Sequence, residues 1–193
     1  MTPRVRRLGA SVVMALVPLL GIVTTVSAAT PAGGADGTLQ AMVLNRINAI
    51  RVASGLSRAV GTTAFTAEVQ RGALKNADPA LVPESSGIVG ESSLWGVEPG
   101  SSAVAPISPI GVVDGWVSHD GWEGSVAKTW NVDCGYAKAP GCDGHRRSIL
   151  SRPPTPGARL YVDVGTRHLR FDGGQALSIA VLMVWKRSGA TAP

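Results

Sequence analysis

Two stretches near the end of the chain, Arg159-Leu160-Tyr161-Val162-Asp163-Val164 and Ala176-Leu177-Ser178-Ile179-Ala180-Val181-Leu182-Met183-Val184-Trp185, decide the fold class. In the first, Leu160, Val162 and Val164 alternate with Arg159, Tyr161 and Asp163, the period of a half-buried strand. The second is almost continuously apolar, which suits a central strand covered on both faces. Arg170 to Gly174 supplies the turn of a hairpin between them.

Everything upstream has a different period. Leu39, Met42, Val43, Ile47 and Ile50 follow the i, i+3, i+4 spacing of one helical face from Thr38, with Gln40, Asn48 and Arg51 elsewhere on the wheel and Gly55 as the stop. A second helix is predicted from about Thr62 to Asn76, where Phe65, Val69 and Ala73 stack, with Asp78-Pro79 ending it. Residues 78–108, rich in Pro, Ser and Gly, read as irregular, with one short strand around Ile88 and Val89. Ser108-Pro109 opens a third helix with Val112, Val113 and Trp116 on its apolar face, and His119 to Gly144 reads as a structured surface loop. Asp143 then occupies an N-cap position for a short helix carrying His145, with Ile149 and Leu150 turned inward. Helices first and an antiparallel hairpin last predict an α+β sandwich with a small antiparallel sheet.

The N-terminus reads as an export signal. Arg4, Arg6 and Arg7 precede an apolar run from Leu8 to Val26 and the small-residue site Val26-Ser27-Ala28-Ala29. The expected organisation is a signal peptide over 1–29, a flexible leader over 30–37, one domain over 38–187 and a short tail over 188–193. Arg6-Arg7 leaves the export route open. Three of the positive charges behind the formal +5 lie in that signal, so the remainder is near +2. With no aromatic-interleaved basic stripe, nucleic acid is not an expected partner. A secreted monomer without a permanent membrane anchor is expected.

Cys134 and Cys142 enclose a loop containing Gly135, Pro140 and Gly141, which in an exported chain suits a disulfide immediately before His145. The competing reading is a free thiol with His145 as its base.

Taken in order, Leu44-Asn45-Arg46 with the Gly55-Leu56 helix end, Gly90-Glu91-Ser92, Trp116-Val117-Ser118, Gly144-His145-Arg146-Arg147-Ser148-Ile149-Leu150 and the closing hairpin resemble the bacterial branch of the CAP superfamily, also called the SCP domain. The resemblance runs from about Thr38 to Trp185. It implies a three-layer α-β-α sandwich, secretion, and a cleft where histidine and glutamate side chains converge. Ser92 and Ser148 stand where that pattern has asparagine. Gln70 to Asn76 holds no histidine, and Ser118 stands where many members carry a second glutamate. Direct matching therefore reduces the cleft to Glu91 and His145, with His119 and Trp116 as neighbours on the third helix and the cysteine-bearing insertion as a brace of the rim.

Glu91 and His145 could form a buried structural pair, contact a ligand, or act as a general acid/base pair. With His119 they would make at most a weak site for a divalent cation such as zinc, since zinc normally takes three protein ligands. His168, before a turn, reads as a solvated surface residue. Trp116 and Trp185 fit the core, whereas Trp122 and Trp130 either pack the glycine-rich loop down or offer a sugar or lipid surface. Two functions remain. The first is an extracellular module binding a lipid, an envelope component or a protein. The second is a secreted hydrolase of peptide or envelope substrates, metal-assisted or not, with His145 as base and Glu91 orienting it.

Overall fold

The computed structural model describes residues 35–82, 87–100, 106–126, 128–129, 131, 133–172, 174–187 and 189. The expected signal peptide, most of the expected leader, Trp130 and nearly all of the expected tail lie outside them. Eight elements follow in order: α1 (Ala35–Ala53), β1 (Val60–Gly61), α2 (Thr66–Lys75), β2 (Ile88–Pro99), α3 (Ile110–Ser118), α4 (Gly144–Ile149), β3 (Arg159–Phe171) and β4 (Gly174–Lys186). The class is α+β, as the sequence predicts.

The closing hairpin is the centre of the sheet, whose order is β1-β3-β4-β2. β3 and β4 pair antiparallel with Leu160 opposite Trp185, Val162 opposite Met183 and Val164 opposite Val181. These residues share one face with Val43 and Ile47 of α1, Val113 and Trp116 of α3, and Ile149 of α4 in the main core. Leu182 and Val184 point to the other face, where they meet Phe65, just before α2, and Val69 of α2. Strand alternation thus sorts the helices, α2 to one face and α1, α3 and α4 to the other.

Two expectations about the sheet need correction. It is mixed, because the two-residue β1 pairs parallel with β3 through Val60 and Tyr161. The bidentate contact of Asn48 with Ala59, donating to its carbonyl at 3.1 Å and accepting its N–H at 2.6 Å, steers the chain into that pairing. The short strand expected at Ile88–Val89 is also a full twelve-residue edge strand, β2, paired antiparallel with β4 from Gly90–Trp185 to Pro99–Ala176. Its serines and glycines hide the period: ladder hydrogen bonds carry most of its length, and Leu94 is its one fully buried apolar side chain in the main core.

Helix ends also differ from expectation. Neither N-cap residue, Phe65 for α2 or Asp143 for α4, makes a side-chain cap bond. Each helix start is instead capped from a distant element by a buried aspartate. Asp163 of β3 accepts the Phe65 N–H at 2.9 Å, and Asp120 accepts the Arg146 N–H at 2.8 Å. Anchoring at Phe65 is why α2 begins at Thr66 and not at Thr62. Close approach completes the packing, since a Cβ on Gly165 would lie 2.4 Å from the Val69 backbone, and only glycine lets α2 sit so near β3. Arg51, on the helix read as amphipathic, is fully buried; its Nη1 donates to the carbonyls of Ile149 and Ser151 and its Nε to that of Ser57.

Candidate functional site

His145 leaves the first turn of α4 and stacks on Trp116 of α3, ring centroids 5.8 Å apart and planes 13° from parallel. Its Nδ1 lies 3.2 Å from Oδ1 of Asp120, a residue 3% exposed just after α3. That aspartate is the hub of the junction, because Asn131 Nδ2 donates to the same Oδ1 at 2.7 Å while the Arg146 N–H takes Oδ2. Burial by itself would push the Asp120 carboxyl up, but the hydrogen bonds from His145, Arg146 and Asn131 outweigh it and hold it below the ordinary aspartate value. Arg146 returns the contact, donating from its guanidinium to the carbonyls of Val117 and Ser118 at the end of α3.

The disulfide supports the same hub. Cys134 and Cys142 are joined, both 1% exposed, and Trp122 packs against their cluster. Of the two readings of Trp122, packing the loop down is therefore the one its contacts match. Asn131 Nδ2 also lies 3.0 and 3.2 Å from the carbonyls of Gly141 and Cys142, so one amide connects the closed loop to Asp120. Among the described residues no cysteine is free, which removes the thiol reading.

Glu91 lies elsewhere. Its register partner is Val184, which belongs to the face packed by α2, and its Oε2 accepts the Val82 N–H at 3.2 Å. Among the described residues no hydrogen bond or ion pair links Glu91 to His145. His119 is an exposed residue at the α3 end, 3.2 Å from Glu123 through Nδ1. The structure thus brings together His145 and Trp116 of the expected set, and places Glu91 and His119 with other partners. Among the described residues no three His, Cys, Asp or Glu side chains are grouped to hold a metal ion. His168 is exposed, as read.

Sequence reasoning missed Asp120, and Asp78, which it read only as a helix stop. Asp78 lies within electrostatic reach of His145. Asp78 is an exposed residue and among the described residues makes no hydrogen bond or ion pair with His145; its carboxyl sits above the ordinary value through desolvation, drawn back by His145 and pushed further up by Asp133. Helix-breaking chemistry masks such a residue; only the tertiary course of the chain reveals it.

Next to the His145 junction, between the edge of β2 and α4, opens a cavity of about 290 Å³ lined by Gly90, Glu91, Ser92, Arg147, Ser148, Ser151, Arg152, Pro154 and Trp185. Arg147 also borders a second cavity of about 420 Å³ over the disulfide loop, with Trp122, Lys138 and Asp143. Among the described residues no helix is long and apolar enough to cross a membrane, and the disulfide is compatible with an extracytoplasmic location. Compared with protein-family models, curated proteins and solved structures, the chain matches none of them.

Proposed function

We propose that the protein is a secreted, non-enzymatic ligand-binding module of the CAP/SCP kind, a monomer that holds an extracellular ligand in a cleft along the edge of β2. Support for the family reading comes from the order of elements and from helices packed on both faces of the sheet, the layering that a three-layer α-β-α sandwich requires. The observation that carries the binding role is the division of labour around α4. His145 and Asp120 are committed to the α3–α4 junction, while the open cavity beside them is lined by arginines, serines and Trp185 and holds no thiol. A hydrolase reading draws on one specific feature. Asp120 on Nδ1 orients the ring as an acid/base histidine requires, the role that the sequence reading gives to Glu91.

Thermal-shift screening of the protein against acylated lipids, glycan fragments and short peptides, with parallel assays for their cleavage, separates the two. The binding reading predicts stabilisation by one class without turnover, reduced by Arg147→Gln and retained in His145→Gln. Turnover that disappears in a folded His145→Gln variant would replace it with the hydrolase.

A further inference from the structure

The cavity between β2 and α4 has a charge pattern of its own. Arg147 and Arg152 stand exposed on its rim, and the hydroxyl residues Ser92, Ser148 and Ser151 line it. Behind the wall lies a third guanidinium. Arg51 Nη1 donates to the Ser151 carbonyl at 3.1 Å, and its guanidinium carbon sits 5.5 Å from the centroid of the Trp185 ring. Among the described residues Arg51 pairs with no carboxylate, and its Nη2 is buried without a hydrogen-bond partner. The single acid of the lining, Glu91, keeps its charge while accepting the Val82 N–H, so one carboxylate stands against the guanidiniums of Arg147 and Arg152 on the rim and Arg51 behind the wall. Asp143 faces Arg147 only at 4.0 Å, both side chains being more than half exposed, so it holds that cation weakly. The field in the cavity is therefore positive and suited to an anionic group.

The strand beside it says what carries that anion. β2 is the edge of the sheet, and among the described residues the backbone of Gly90, Glu91 and Ser92 has no hydrogen-bond partner on its outer side. An extended peptide can add to such an edge through its main chain. Trp185 and Pro154 supply apolar surface for one small side chain, and the cavity is close to the lower end of small-ligand pockets, which begin at about 300 Å³.

We infer that this cavity is a carboxylate site for the free C-terminal end of a short extended peptide, the carboxylate meeting Arg147 and Arg152 while the peptide backbone pairs with the edge of β2. The inference rests on the ligand-cleft reading above and names its ligand class.

Trp185 provides the reporter, because its indole N–H donates to Ser151 Oγ at 3.1 Å on the cavity wall. Its indole resonance, assigned with a Trp185→Phe variant, is followed while N-acetyl-alanyl-alanine, the C-terminal amide of the same peptide, and inorganic phosphate are titrated into the protein. The site predicts saturable shifts with the acid, at least about tenfold weaker binding of the amide, and weakening by Arg147→Gln and by Arg152→Gln. Both arginines are exposed, so the variants keep the fold, checked by their unfolding curves. Equal affinity of acid and amide, phosphate binding as tightly as the acid, or no shift with acid up to about 10 mM would each overturn it. If a lipid or glycan moves the Trp185 resonance where the peptide acid does not, the cleft reading stands and the peptide assignment falls.

Discussion

Asp120 caps α4 from outside the helix while holding the ring of His145, whose Nδ1 lies 3.2 Å from Oδ1. One buried carboxylate thus ties together the end of α3, the start of α4 and, through Asn131, the disulfide loop. Removing it leaves the Arg146 N–H without its acceptor and cuts the Asn131 amide back to the Gly141 and Cys142 carbonyls. Asp120→Ala is expected to cost about 2–3 kcal/mol of unfolding free energy, with Asp120→Asn also costly because either orientation of its amide turns an NH2 group toward a donor, the Arg146 N–H or the Asn131 amide. Urea unfolding of both variants checks this.

Acid should weaken the same junction. The Asp120 carboxyl is depressed in the folded protein, so its contribution is complete above the unfolded aspartate value of about 3.9 and is lost as pH falls through the lower folded value. Asp163, which burial raises despite its hydrogen bonds, works in the opposite sense. The difference in stability between the protein and Asp120→Asn isolates the effect. That difference should be flat from neutrality to about pH 4 and shrink below it.

Arg51 is the second internal clamp. Replacing it with methionine keeps the apolar stem but leaves the carbonyls of Ser57, Ile149 and Ser151 without their donor. A loss of about 1–3 kcal/mol is expected, moderated by release of a buried cation. Broadening of the Trp185 indole resonance would accompany it, since the guanidinium lies over that ring. Calorimetric melting and one-dimensional NMR measure the two effects.

Opening the disulfide should reach His145. By loop-closure entropy, a Cys134→Ser, Cys142→Ser double variant loses about 2–3 kcal/mol. Because Asn131 couples the loop to Asp120, amide hydrogen exchange at Arg146 is expected to accelerate more than exchange in β4. Uniform acceleration would mean that the loop only adds global stability.

How far the sequence could be read depended on where each element found its partners. The α+β class and the hairpin were visible in the periods of Leu160–Val164 and Ala176–Trp185, because both strands bury apolar side chains. The faces of α1 and α3 were visible for the same reason. β2 was not, since Gly90 to Ser93 is held by β4 through the backbone. The disulfide followed from the spacing of Cys134 and Cys142 together with the expectation of export. The partner of His145 did not, because a carboxylate 25 residues away becomes a cap only when α3 and α4 meet. Glu91 was matched by motif, but its register places it opposite Val184, on the face packed by α2.

The most direct test is a pair of double-mutant cycles on unfolding free energy, one joining His145→Ala with Asp120→Ala and the other joining His145→Ala with Glu91→Ala. The structure predicts a coupling of about 1 kcal/mol or more for His145 with Asp120, and one within about 0.5 kcal/mol of zero for His145 with Glu91. Strong coupling to Glu91 with none to Asp120 would contradict the account and return His145 to a glutamate–histidine cleft.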